Sequence, residues 1–414
     1  MKNSSILDIA KQLILKDFSA MPHYNTIFQQ LFNFIPRHRF DKMVNELKMD
    51  NYSKGFTAWR QFLTVLYAQI SGKDSLREIE SGLMTHKSKL YHIGLTPVPR
   101  STLADAMGRR NPLIFEELFY EILARAQSFS PKHKFRFNNP LYSIDSTTID
   151  LCLSVYDWAK FRKKKGAIKL HCQLDHRGNL PVFVVMSDGK MHDVSAVKNH
   201  FDIEPDSIYC ADKAYMALPW FKQVDDKGAY FVTRLKKNAD IVIAGQHKET
   251  NFKQGILADN LIEFRSEQSF KKYPKKLRAI EFYDNEKDKT YTFITNNFKL
   301  SAATIAEIYK QRWQIELFFK WIKQNLKIKT FFGTSKNAVM AQVWTAMIYY
   351  LLLSYIKFVS RMKSTITEIS RRVKEGLMSR LNLLELLVIS RQEIAKPPNW
   401  SNQTRQPDLF GFNF

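Results

Sequence analysis

Two aspartates close short apolar runs in this 414-residue chain. Asp145 ends Leu141-Tyr142-Ser143-Ile144, and Asp212 ends Ile208-Tyr209-Cys210-Ala211. A carboxylate is unexpected there, because strand ends that face a core normally hold Val or Ile, although either residue alone also reads as a turn or capping aspartate. A third element narrows the choice. Between Ile305 and Ile328, Tyr309, Arg312, Glu316 and Lys323 recur at steps of three, four and seven. At about 100° per residue they share an arc of roughly 60° on one helix face. Ile308, Ile315, Phe319, Ile322 and Leu326 lie beside that arc on the packing side. A solvated stripe explains Lys310 and Lys320 well, but explains Arg312 and Glu316, set beside large apolar residues, less well. Carboxylates on two strands and a helix gather the hard oxygen donors that Mg²⁺ or Mn²⁺ take. Two such ions about 4 Å apart activate an attacking water or hydroxyl in phosphodiester transfer.

The charge balance points to a matching partner. Sixty-three Lys and Arg against 40 Asp and Glu leave +23, which calls for a polyanion: nucleic acid first, an anionic membrane surface second. Arg162-Lys163-Lys164-Lys165-Gly166, just ahead of an apolar run, reads as a DNA-backbone contact or as a solvated turn. Cys152, Cys172 and Cys210 form no CxxC pair, which excludes a disulfide framework and a cysteine zinc site; they read as small core residues. The first residues carry Asp8 and Lys11 within their apolar stretch and lack a cleavage site, so a cytoplasmic protein is expected. Ala338–Ile356 is uncharged and long enough to cross a bilayer. Its Gln342, Thr345 and Ser354, and the want of a second such segment, favour a buried core helix and no membrane partner.

The elements that must position these residues follow from periodicity. Residues 1–135 read as a helical, DNA-binding region, with apolar residues at helical spacing through Ile27–Ile35 and Trp59–Ile70. Within it, Pro97 and Pro99 lead into a helix from Arg100, capped by a hydroxyl and closed by Arg109 and Arg110. That is either a helix-turn-helix-like reader, with Arg100, Arg109 and Arg110 on DNA, or a plain structural helix with solvated arginines. Residues 136–237 change to short strands at 141–145, 168–174 and 181–186, with a hairpin through Asp175-His176-Arg177-Gly178-Asn179. A helix from an Asp193 N-cap follows, then strands at 207–212 and 230–234. Three antiparallel strands, a helix, then strand–helix–strand is the order of a ribonuclease H-like α/β core. Residues 238–299 read as a β-rich insertion, 300–360 as the second part of the core with the Glu-bearing helix, and 361–414 as C-terminal helices and a tail.

The sequence resembles a known family at these positions. Ile144-Asp145-Ser146-Thr147, Ala211-Asp212-Lys213-Ala214-Tyr215 and the Tyr-Arg-Glu-Lys stripe match the DDE transposases of the bacterial insertion-sequence type four group, and the spacing within the stripe is intact. Lys169-Leu170-His171 and Gly189-Lys190-Met191-His192-Asp193 add to the match. Ser75–Glu80 and Tyr91–Arg109 are similar to the helical domain often found ahead of this core. The resemblance implies that Asp145, Asp212 and Glu316 hold two Mg²⁺, or Mn²⁺, and that Tyr309, Arg312 and Lys323 touch phosphates near the scissile bond. It implies cleavage of double-stranded DNA at terminal inverted repeats, a hairpin step, strand transfer into target DNA, and work as a homodimer. Relatives place a tryptophan in the β insertion to hold a flipped base; here none occurs between Trp220 and Trp313. Tyr273, Phe282, Tyr283 and Phe298 are the candidates to replace it by stacking. A structure-selective nuclease on the same fold and an inactive DNA-binding repressor are the rival readings. Finally, Gln406-Pro407-Asp408-Leu409-Phe410 is similar to the pentapeptide that binds the bacterial sliding clamp. Gln406, Leu409 and Phe410 would be its anchors, Pro407 departs from the pattern, and the other reading folds this tail onto the protein's own surface.

Overall fold

The computed structural model describes residues 25–152, 154–162, 165–188, 202–248, 252–325 and 330–388. Helices fill the chain ahead of the first strand: α1 (Ile27–Phe32), α2 (Arg37–Glu46), α3 (Ala58–Ser71), α4 (Leu76–Thr85), α5 (Lys87–Leu90), α6 (Arg100–Arg109) and α7 (Leu113–Phe129). Local chemistry sets three of their starts: the hydroxyls of Thr26, Thr57 and Ser75 accept from the backbone N–H groups of Gln29, Arg60 and Glu78. The expected hydroxyl cap of α6 is not what forms. Pro99 stands at its N-cap, and the Arg100 N–H donates instead to the Glu80 carboxylate of α4 at 3.2 Å.

The strands then follow: β1 (Leu141–Leu151), β2 (Lys160–Arg162), β3 (Lys165–Asp175), β4 (Leu180–Asp188) and β5 (Ile208–Ala211), then helix α8 (Leu218–Asp226) and β6 (Tyr230–Arg234). β3 runs antiparallel to β1 and β4, while β5 and β6 run parallel to β1, giving the ribonuclease H-like order. The β3–β4 hairpin turns through Gly178 (φ 76°) and Asn179 (φ 54°). Only glycine fits at 178, because a Cβ there would stand 2.5 Å from the Phe358 ring as well as meeting the positive φ.

Side-chain alternation along these strands decides which face carries what. Tyr142, Ile144, Tyr209 and Ala211 pack on Trp220, Phe221 and Val224 of α8. Leu141, Ile208, Cys210 and Val232 face the other way, onto Ile305, Ala306 and Ile308. With a period of two, Asp145 and Asp212 fall on this second face.

The segment expected as an insertion extends the sheet itself. β7 (Ile241–Gln246), β8 (Ile256–Phe264), helix α9 (Glu267–Lys272), β9 (Leu277–Asp284) and β10 (Lys289–Thr295) form a meander. β10 pairs antiparallel with β6, so the path runs β2-β3-β1-β5-β6-β10-β9-β8-β7. The chain then enters α10 (Ala302–Gln311) and α11 (Trp313–Asn325). One continuous helix was the expectation; the break falls at Arg312. There the N–H of Arg312 bonds to the Tyr309 carbonyl and that of Ile315 to the Arg312 carbonyl, both at 3.1 Å, so a tighter i→i+3 turn replaces the α-helical pattern.

The long apolar segment becomes α12 (Lys336–Ser360), followed by α13 (Ile366–Gly376) and α14 (Leu383–Val388). α12 is long and apolar enough to cross a membrane, but 94% of its most apolar window is buried inside the protein. Its Gln342, Thr345 and Ser354 are satisfied internally. Gln342 accepts from the Phe332 N–H and donates to the Thr330 carbonyl, while Thr345 and Ser354 donate to the carbonyls of Ala341 and Tyr350. The N-terminal helices close their core on this C-terminal part: Phe119 packs against Trp344 at 5.1 Å, and Gln30 donates to the Leu381 carbonyl at 2.6 Å. One apolar cluster therefore runs from Ile27 through β3 and β4 to Leu387.

Candidate active site and nucleic-acid surface

Parallel pairing places the two aspartates side by side. β1 and β5 are in register through Ile144 opposite Ala211, so Asp145 and Asp212 occupy the next adjacent positions. Both face the α10–α11 junction, which supplies the remaining groups. Arg312 Nη1 donates to Asp145 Oδ2 at 3.4 Å, and its Nη2 donates to Glu316 Oε1. Tyr309 donates its hydroxyl to Asp212 Oδ1 at 3.3 Å. The Ser146 N–H holds Asp145 Oδ1 at 2.8 Å. The structure thus brings together Asp145, Asp212, Glu316, Tyr309 and Arg312. Lys323 lies on the same helix, α11, and is half-buried.

The other expected basic contacts divide. Arg100 stands exposed at the start of α6, and Arg109 is 81% exposed and paired with Asp105 at 2.7 Å. Arg110 turns inward, against the expectation of a DNA contact. It donates to Gln61, Asp50, Ser53 and the Phe56 carbonyl, fastening the loop between α2 and α3. Arg162 ends β2 and pairs in register with Lys165 of β3; Lys163 and Lys164 lie outside the described residues. So do His192, Asp193 and the tail with Gln406, Leu409 and Phe410. Cys172 and Cys210 are buried as expected, whereas Cys152 is exposed, because it follows the end of β1.

Beside the carboxylates opens a cavity of about 850 Å³ between β6, β9, β10 and the α10–α11 junction. Arg234, Tyr291, Phe293, Tyr309, Arg312 and Trp313 line it. Rings and cations alternate there: the Arg234 guanidinium lies 5.1 Å above the Tyr291 ring, and Phe293 meets Tyr309 at 4.7 Å. Of the aromatic residues proposed from sequence, only Phe282 lines this space. Tyr273 is buried on the opposite face against Phe231, Tyr283 bonds Asp288, and Phe298 sits edge-on to His247. Trp313, 55% exposed beside Arg312, was missed, as were Arg234 and Tyr291. Exposure of a large aromatic within a helical stretch would have been the signal, but a sequence alone does not display it.

Residues 137–352 match the family model described as the Transposase DDE domain. The chain belongs to the DDE transposases. Residues 23–96 match a domain of unknown function, DUF4372, which spans α1 to α5 of this transposase. A transposase of Sinorhizobium fredii is 31% identical over 309 residues, covering 74% of this chain and 82% of that one. The transposase of insertion sequence element IS5377 from Geobacillus stearothermophilus is 30% identical over 251 residues, 58% and 65% of the two chains. Among solved structures, the piggyBac transposase synaptic complex with hairpin DNA aligns over 95% of this chain at 9% identity and a TM-score of 0.41. That likeness is too loose to bear on the mechanism.

A DDE domain implies dependence on a divalent metal, and the donor set of this transposase fits one. The side chains on offer are all carboxylate oxygens, which suit a hard cation. Asp145 shows what burial in such a site does to a carboxylate. Burial, opposed by the Ser146 N–H and Arg312 and reinforced by Glu316 and Asp212, pushes its carboxyl up to about 6. The ordinary value is 3.8, so the unfolded chain ionises first as pH rises. Stability is therefore lost between about pH 4 and pH 6 and stays lower above that. In chelator, Asp145→Asn should melt higher than the wild type near pH 8, by something of order 1–3 kcal/mol, and match it near pH 4. Parallel melting curves across that range would refute the raised Asp145 carboxyl.

Proposed function

We propose that this enzyme carries out cut-and-paste transposition, cleaving double-stranded DNA at terminal inverted repeats and joining the freed ends to target DNA. The observation that carries the reading is the register of β1 and β5, which sets Asp145 beside Asp212 beneath the Glu316-bearing helix. Asp145, Asp212 and Glu316 are the metal ligands in this reading. Two Mg²⁺ or Mn²⁺ ions, when bound, supply Lewis acidity at the scissile phosphate and lower the pKa of the attacking water or 3′-hydroxyl. Arg312 presents a two-pronged guanidinium to a phosphate, Lys323 a point charge, and Tyr309 its hydroxyl. Arg100, Arg109, Arg162 and Lys165 extend the backbone contact that the +23 charge calls for.

The hairpin step is the least furnished part. Phe282, Tyr291 and Trp313 around the cavity offer a stacking surface for an extruded base, in place of the tryptophan that relatives keep in the inserted strands. Two ends joined in concert call for a homodimer, and a closed two-fold pair supplies two active sites. Clamp binding through Gln406, Leu409 and Phe410, and a cytoplasmic location, complete the proposal.

Linear DNA bearing the inverted repeats that flank the gene tests it. In Mg²⁺ the protein should nick at the repeat ends and bind them with a steep salt dependence, and Lys323→Ala should flatten that slope by about one unit. Cutting of branched or hairpin DNA irrespective of the repeats would favour the nuclease reading. Tight end binding without any cutting would favour the repressor.

A further inference from the structure

We propose that Arg312 is a DNA-operated guard on the metal site. It holds the carboxylates in ion pairs while DNA is absent, and releases them when a DNA phosphate draws the guanidinium away. The inference rests on the reading of Asp145, Asp212 and Glu316 as metal ligands. It concerns how their oxygens become available.

The geometry gives Arg312 the position a cation would contest. Its side chain is 12% exposed and reaches Asp145 through one terminal nitrogen and Glu316 through the other. Tyr309, with the Arg312 guanidinium 5.6 Å from its ring, donates its hydroxyl to the third carboxylate, Asp212. All three acidic groups are thereby tied to one Tyr–Arg pair. Among the described residues no three acidic, histidine or cysteine side chains gather into a ready-made metal cage. Arg312, standing between Asp145 and Glu316, accounts for that.

Two further features make the arrangement releasable. Arg312 Nε is buried with no hydrogen-bond partner, so the present pose leaves one donor unsatisfied. Arg312 and Tyr309 also line the large cavity, so a phosphate entering there meets both. An anion in the cavity offers the guanidinium a forked partner that can include Nε, which the two separate carboxylates do not. The backbone at Arg312 is the i→i+3 turn between α10 and α11, where the helical bonding is already interrupted. A guanidinium and a divalent cation then compete for the same oxygens, and DNA decides the competition. By linkage, DNA must tighten metal binding as much as metal tightens DNA binding. The enzyme would carry little metal in its carboxylate site until DNA is bound there.

Mn²⁺ titrations read by the electron spin resonance of the free ion test this on the full chain, with protein-free duplex as the blank. Adding an end duplex to wild type should tighten Mn²⁺ binding by about 5- to 150-fold, the usual range of such couplings. Arg312→Gln without DNA should already bind Mn²⁺ more tightly by a comparable factor, with little further gain on adding DNA. Should Arg312→Gln fail to fold by circular dichroism, Arg312→Lys, too short to hold both carboxylates, should show the same direction. Mn²⁺ affinity unmoved by either substitution, or an equal DNA effect with and without Arg312, overturns the guard. Mn²⁺ binding that survives both Asp145→Asn and Glu316→Gln overturns the metal assignment beneath it.

Discussion

Glu316→Gln should bind element ends as the wild type does yet nick them at least about a thousandfold more slowly, a loss of roughly 4 kcal/mol of transition-state stabilisation. The substitution keeps the side chain's size and its place on α11, and removes only the negative charge. A neutral amide oxygen is a poor ligand for a hard cation, and the charge opposite Asp145 and Asp212 falls by one. Gel retardation and single-turnover nicking in Mg²⁺, run on the same preparation, separate binding from chemistry. Nicking at the wild-type rate with unchanged binding would remove Glu316 from the active site.

The largest loss of stability is expected far from the carboxylates, at Arg278→Met. Arg278 is fully buried and holds Asp259 with two hydrogen bonds, Nε to Oδ1 at 2.7 Å and Nη2 to Oδ2 at 2.6 Å. Its third nitrogen donates to the carbonyls of Asn297 and Leu300, just ahead of α10. Replacing one partner strands the Asp259 carboxylate in the interior, which costs about 3–5 kcal/mol. The same loop loses the anchor that sets where Tyr309 and Arg312 stand. Thermal or urea unfolding should register the loss, and nicking should fall with it. The double variant Asp259→Leu with Arg278→Met should recover much of the stability, since both charges are then gone. A single variant as stable as wild type would refute the pair's role.

What was legible in the sequence was whatever depends on neighbours along the chain. Carboxylates ending apolar strands stand out against the residues expected there, and the stripe through Tyr309 and Glu316 follows from helical periodicity. The hairpin through Gly178 was visible in its turn residues. The break at Arg312 was not, because Lys310, Gln311, Arg312 and Trp313 are all compatible with a helix. Pairing of β10 with β6 was hidden for a related reason: strand alternation shows that strands exist, not which ones meet. Arg110 looked like a surface cation because its partners, Asp50, Ser53 and Gln61, lie some fifty to sixty residues upstream. Arg278 was one charge among many in an alternating run, and its burial comes from the sheet that closes around it.

The joining of α1 to the segment after α13 sets a clock on biogenesis. Ile27 and Phe28 donate their backbone N–H groups to the carbonyls of Ser379 and Leu377, and Gln30 bonds Leu381, 351 residues away. A ribosome adding about 5–20 residues per second needs on the order of tens of seconds to cover that distance. Until then α1 has only its N-terminal neighbours to close on, Phe28 against Tyr67 and Phe32 against Trp59, and lacks the layer that the later segment supplies. Contacts of such long sequence separation also slow folding after release. Translation halted before residue 377 would leave the N-terminal helices without their last layer.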